Sequence, residues 1–223
     1  MESNNKIIDG YVINLESDLE RLNSIKNEFN DTCVNLKIFK AIKHKKGWIG
    51  CLKSHLSLIK MAKENNMDMI LIIEDDGYIE NREYFQNNFE KIIDFLKNNM
   101  DKWNIFHGGP NINKNSKINN FYSSNPLLFN INLCVSTTFI IYNKNCYDFF
   151  INFLKYDDNK LKNTNKIDML IYHNFYCLTT FPCLAWQKNF YSNIDECYRD
   201  DLQDIKNNRD KIFKRLLKNV DKK

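Results

Sequence analysis

Three carboxylates close a five-residue apolar run in Met69-Ile70-Leu71-Ile72-Ile73-Glu74-Asp75-Asp76-Gly77, and this arrangement limits the folds open to the chain. The run is too short for a helix and apolar on both sides, as expected of a strand buried on both faces of a parallel sheet. In open α/β sheets the carboxyl ends of such strands face the ligand crevice. Adjacent acids repel one another unless a cation or ligand hydroxyls compensate them. A divalent cation carrying a polyphosphate meets that need, since Mg²⁺ or Mn²⁺ takes one or two carboxylates and fills its shell with phosphate oxygens and water. If the strand continues through the acids, Glu74 and Asp76 share one face and Asp75 takes the other. That geometry disfavours a glycosidase pair, whose carboxyls face each other roughly 5–9 Å apart across the substrate. A solvated acidic turn is the alternative reading of these residues.

The flanking segments alternate between strand and helix patterns. Gly10–Leu15 reads as a first strand, and Ser17-Asp18-Leu19-Glu20 as a capping box opening a helix that carries Leu22, Ile25 and Phe29. A second strand is predicted over Lys37–Ile42, then a basic loop from His44 to Gly50 and a helix of about 15 residues ending near Asn65-Asn66. After the acidic strand, helical spacing runs from Tyr84 to Leu96, and Trp103–His107 reads as another strand ending at Gly108-Gly109-Pro110. Residues 111–132 lose periodicity and predict a long loop with a short edge strand. Strand resumes over Thr137–Tyr142, helix over Cys146–Leu154, a polar connector over Asp157–Lys166, helix over Asp168–Phe175 and strand over Tyr176–Phe181. The last 20 residues suit an amphipathic helix burying Ile205, Ile212, Phe213, Leu216 and Leu217. The expectation is one α/β domain over residues 1–223, with a nucleotide-binding half at about 7–110, an acceptor-side half at about 111–200 and a C-terminal helix at about 201–220.

Composition excludes several function classes. The net charge of +4 arises from 32 basic and 28 acidic residues spread along the chain, so no nucleic-acid partner is implied. The basic stretch from Lys206 to Lys223 reads as a solvated surface. No stretch of 18 apolar residues offers a transmembrane segment, and the start lacks a signal-peptide core, so a cytoplasmic protein is expected. Seven cysteines without a CxxC pair argue against a disulfide framework and zinc, and read as reduced core thiols.

Four further places could carry chemistry. Lys53, Ser54 and His55 lie near a helix start, where free amides favour phosphate; His55 taken alone reads more readily as a satisfied core histidine than as a ligand. Lys45 and Lys46 add charge just upstream, or simply form a solvated loop. Arg21 lies one turn into the first helix beside Asn14 and Leu15, as a site residue or a surface ion-pair partner. Asp168 stands at a helix start, where it could cap the helix or act as a base.

Taken in order, these pieces resemble glycosyltransferase family 25, the group of lipooligosaccharide and procollagen galactosyltransferases. The resemblance rests on Tyr11–Leu15 with Asp18 and Arg21, on Phe39–Ala41, and on Gly50-Cys51 followed by Ser54-His55-Leu56. It continues through Glu74-Asp75-Asp76, Trp103–Ile105, Asp168, and Pro182 with Gln187 and Ser192. The chain departs from the family pattern at Trp48, where an acid is usual, at Thr137-Thr138-Phe139, and at Ser192-Asn193-Ile194. An ER-retention tail is absent, so bacterial or large-DNA-virus members are the expected analogy, with host cytoplasm or virion as the viral location.

The resemblance implies a GT-A type fold and an inverting enzyme that moves a hexose or N-acetylhexosamine from UDP-galactose, UDP-N-acetylglucosamine or UDP-glucose to a hydroxyl on a glycan or protein. Carried over by position, Asn14, Leu15, Arg21 and Ala41 would line a uridine pocket, and Ser54 and His55 would lie by the diphosphate. Asp76 would hold Mn²⁺ or Mg²⁺, Glu74 and Asp75 would support ribose and metal, and Asp168 would be the base. The rivals are a catalytically silent UDP-sugar or glycan-binding module and a metal-dependent nucleotidyltransferase.

Overall fold

A computed structural model of the chain describes residues 7–191 and 200–218. Ser192, Asn193, Ile194 and Cys197 lie outside the described residues. The first half repeats a strand-helix unit: β1 (Ile8–Asn14), α1 (Leu19–Phe29), β2 (Val34–Lys40), α2 (Gly47–Glu64) and β3 (Met69–Glu74). These strands pair in parallel in the order β2, β1, β3. Ile70, Leu71, Ile72 and Ile73 are at most 3% exposed and divide by parity, as a pleated strand requires. Ile70 and Ile72 join Leu52, Leu56 and Ile59 of α2 on one face, while Leu71 and Ile73 join Ile25 and Phe29 of α1 on the other. Burial of each such side chain contributes roughly 1.5–3 kcal/mol, which anchors the strand that carries the acids.

The chain continues through β4 (Gly77–Ile79), α3 (Arg82–Asn98), β5 (Ile105–His107), β6 (Ile118–Ser124), β7 (Leu127–Ile131) and β8 (Phe139–Asn143). It ends with α4 (Tyr147–Ile151), α5 (Ile167–Asn174), β9 (Cys177–Thr180), β10 (Ala185–Gln187) and α6 (Leu202–Lys218). The main sheet has eight strands in the order β2-β1-β3-β8-β5-β9-β7-β6, and a small second sheet pairs β4 with β10. Six of the eight strands point one way, with β7 and β8 reversed. The architecture is thus mixed α/β, a large and mostly parallel central sheet flanked by helices, which is consistent with the GT-A type. No helix among the described residues is long and apolar enough to cross a membrane.

The structure differs from the sequence expectations in several places, the unforeseen β4–β10 ladder among them. Residues 118–131 form a hairpin rather than a loop with one edge strand, because β7 finds its partner in the distant β9. The strand at Phe139–Asn143 runs antiparallel to both neighbours, since the chain enters it beside the acids, where the Glu74 amide donates to the Thr138 carbonyl. The capping box at Ser17–Glu20 does not form: Asp18 is the N-cap of α1 and makes no side-chain cap bond. The basic tail is not wholly solvated either. Arg209 is fully buried, its guanidinium donating to both Glu80 oxygens at 2.6 and 2.9 Å and lying 4.4 Å over the Trp186 ring.

Arg209 thereby ties α6 to the β4–β10 ladder. Among the described residues, replacing it by alanine leaves Glu80 paired with Lys206, 3.2 Å away. Arg209→Ala is expected to reduce the free energy of unfolding by about 3 kcal/mol, the low end for a broken buried pair. Urea denaturation measures this; a loss under about 1 kcal/mol, the worth of a surface pair, would show that the ion pair is not a structural tie.

Candidate active site

The carboxyl ends of β1 and β3 and the first turn of α2 enclose a cleft of about 250 Å³, lined by Leu15, Arg21, Ala41, Gly50, Asp75 and Asp76 among others. Gly50 is required there because a side chain would overlap the Ile42 carbonyl oxygen, so the helix start can press against the segment that follows β2. Ser54 secures that contact. Its hydroxyl accepts from the Ile42 amide at 2.8 Å and donates to the Gly50 carbonyl at 2.8 Å. Lys43, His44 and Gly47 bring a basic loop and a helix N-terminus to the same cleft, a setting that favours an anion.

The acids do not alternate as an extended strand would have them, because β3 ends at Glu74 and the next two residues turn. Arg21 therefore pairs with both Asp75 and Asp76, the latter at 3.2 Å. Asn14 donates to Asp75 at 2.7 Å, and Gln187 donates to Asp76 Oδ2 at 2.8 Å. Burial pushes Asp75 up to about 6 against the opposing pull of Arg21. Burial, reinforced by the Glu74 charge, pushes Asp76 up to about 7. Among the described residues, Asp76 Oδ1 and Arg21 Nε are buried and have no hydrogen-bond partner. An unpartnered carboxylate oxygen on a residue that lines the cleft fits a divalent cation.

Glu74 is held differently. The Thr137 hydroxyl donates to its Oε1 at 2.6 Å, and His55 Nε2 lies 3.4 Å from the same oxygen. Burial would raise its pKa, but His55 and Thr137 outweigh burial and hold Glu74 below the usual range. Glu74 also lines a second cleft, of about 180 Å³, together with Cys51 and Gln187, which border both. Asp168 lies in this second cleft with Trp48, Thr137 and Trp186. It is not the cap of α5: Lys166 is the N-cap, and Asp168 Oδ1 accepts from the Met169 amide at 2.9 Å. Burial raises the Asp168 pKa, with Glu74 adding to the effect.

A profile of glycosyltransferase family 25, described as an LPS biosynthesis protein, matches residues 46–159, just over half of the 223 residues. That stretch contains Gly50, Ser54, His55 and all three acids. The chain belongs to glycosyltransferase family 25. A family 25 protein is a glycosyltransferase in general, acting on a sugar donor and an acceptor. A search of curated protein sequences found no match. Among solved structures, the crystal structure of A197 from STIV is similar at a TM-score of 0.44 and 10% identity, over 85% of this chain and 91% of that one. A crystal structure of apo UDP-glucose pyrophosphorylase is similar at 0.39 and 8%, over 78% and 72%.

Within this family 25 chain, Leu15, Arg21, Ala41, Ser54, Glu74, Asp75 and Asp76 all border the first cleft, and Asp168 borders the second. Asn14 sits behind Asp75, and His55 is wholly buried behind Glu74 with Tyr142 at its other nitrogen. Gln187 and Thr137, which contact the acids directly, were not assigned roles from the sequence. Gln187 gets there through the β4–β10 ladder, opposite Gly77, and short strands of three residues leave no periodic signal.

Because the folded chain holds the Asp75 and Asp76 protons to higher pH than the unfolded chain, these groups favour folding below the ordinary carboxyl pKa of 3.8. That contribution is lost as pH rises through about 6 and about 7. Asp76→Asn is therefore expected to raise Tm at about pH 8 and flatten its decline above about pH 4. Calorimetric scans across that range check this, and an unchanged slope would contradict the assigned burial.

Proposed function

We propose that this protein transfers a hexose or N-acetylhexosamine from a UDP-sugar to an acceptor hydroxyl with inversion of the anomeric centre. The observation that carries the reading is the pair of clefts with a common wall: an acid cluster and a basic helix start on one side, a half-buried carboxyl of raised pKa on the other. In this reading the nucleotide occupies the first cleft. Leu15 and Ala41 offer apolar contact to the base, Arg21 and Asp75 offer polar contacts to it and the ribose, and the α2 amides with Lys43 and His44 face the diphosphate. When bound, Mn²⁺ or Mg²⁺ held by Asp76, with Asp75 in support, would offset charge on the departing UDP.

The acceptor occupies the second cleft beside Asp168. Its hydroxyl oxygen forms a bond to the anomeric carbon as the bond from that carbon to the UDP oxygen breaks, and the hydroxyl proton passes to Asp168. A carboxyl whose pKa lies above the ordinary range is better matched to that proton than an exposed aspartate. The single displacement leaves no enzyme-bound sugar and inverts the centre.

Asp168→Asn is expected to lower kcat by about 10²–10⁴ while leaving UDP affinity intact, and Asp76→Asn to abolish turnover. Calorimetry with UDP, with and without Mn²⁺, reads binding, and release of UDP in the presence of acceptor reads transfer. Wild-type turnover in Asp76→Asn would contradict the assignment, as would UDP binding without transfer to any sugar or peptide acceptor.

A further inference from the structure

We propose that Cys51, His55 and Glu74 form a transition-metal site suited to Zn²⁺, set in the wall between the two clefts and separate from the cation expected at Asp76. Cys51 and His55 are four residues apart and so share one face of α2, and Glu74 meets them from the end of β3. One donor atom from each of the three lies within 4.8 Å of the other two.

Two of the three separations match the edges of a coordination tetrahedron. Cys51 Sγ is 3.7 Å and His55 Nε2 is 3.4 Å from Glu74 Oε1. The second distance is long for an N–H···O bond, which prefers about 2.7–3.2 Å. With Zn–S of about 2.3 Å and Zn–N or Zn–O of about 2.0–2.1 Å, tetrahedral angles place S and O about 3.6 Å apart and N and O about 3.4 Å apart. Both edges agree with the observed distances.

The surroundings also fit. Metal-binding imidazoles and carboxylates are held in place by hydrogen bonds at their far side or remaining lone pairs. Tyr142 OH lies 3.2 Å from His55 Nδ1, and the Thr137 hydroxyl donates to Glu74 at 2.6 Å. Cys51 and Glu74 border both clefts, so a fourth coordination position would open toward them, as it does at catalytic rather than structural zinc. Thiolate and imidazole donors select Zn²⁺ or Co²⁺, whereas Asp76 offers only oxygen and suits Mg²⁺ or Mn²⁺. On binding, the Cys51 proton leaves to solvent and its sulfur lone pair bonds the metal; no electron changes hands. The site does not depend on which donor the first cleft accepts.

Titration of the full chain with Co²⁺ tests this by absorbance. One equivalent is expected to give the near-ultraviolet charge-transfer band of a cobalt thiolate and the intense visible bands of tetrahedral cobalt, displaced by Zn²⁺ but not by excess Mg²⁺. Cys51→Ser should abolish the near-ultraviolet band and weaken Co²⁺ binding about 100-fold or more, while Asp76→Asn should keep both. Should Cys51→Ser fail to fold, zinc-edge X-ray absorption of the Zn²⁺-loaded wild-type chain must find one sulfur at about 2.3 Å. Absence of the thiolate band in the wild type, a sulfur-free zinc shell, or bands that vanish in Asp76→Asn yet survive in Cys51→Ser would overturn the proposal.

Discussion

Burial of three adjacent carboxylates at the end of β3, offset only in part by the Arg21 contacts to Asp75 and Asp76, is the constraint on which this architecture turns. Three consecutive carboxylates at a buried strand end repel one another, and two unit charges about 4 Å apart cost about 4 kcal/mol at an effective dielectric of 20. Compensation comes from every element that reaches the strand end. α1 supplies Arg21, β1 supplies Asn14, β10 supplies Gln187, and Glu74 is held by His55 of α2 and by Thr137 just before β8. The acid cluster thus specifies which segments must converge, and the apolar residues of β3 supply the stability that allows it.

Much of this convergence was legible in the chain itself. The apolar run with its acids predicted a doubly buried strand, and the alternation of patterns predicted the βα units on either side. Local signals carried both. What was not legible depended on partners distant in sequence. The seating of the β6–β7 hairpin on β9, the reversal of β8 and the β4–β10 ladder are fixed by pairings across tens of residues, and Arg209 looked like one more cation in a basic tail. At the site, the positions of Arg21, Asp75, Asp76 and Asp168 at the clefts could be anticipated. The division of the acids between Arg21 and His55 could not, since it follows from the chain turning after Glu74 rather than after Asp76.

That early turn has a consequence for chemistry. Had β3 continued, Glu74 and Asp76 would face one side together and repel each other there. Ending the strand instead assigns Glu74 to the wall shared with the second cleft and leaves Asp75 and Asp76 to the first. One strand end therefore serves two compartments. The reversed β8 makes this possible, because its approach delivers Thr137 to Glu74.

Compensation of the acids is also incomplete in a particular way. Among the described residues Asp76 Oδ1 and Arg21 Nε lie buried without partners, although Asp76 Oδ2 is well bonded. Leaving a buried polar group unsatisfied costs about 1–3 kcal/mol, so the folded chain carries a local deficit at the cleft. An acceptor for the Arg21 N–H and a cation or hydroxyl for Asp76 would relieve it together. A ligand presenting both would gain binding energy by relieving that deficit.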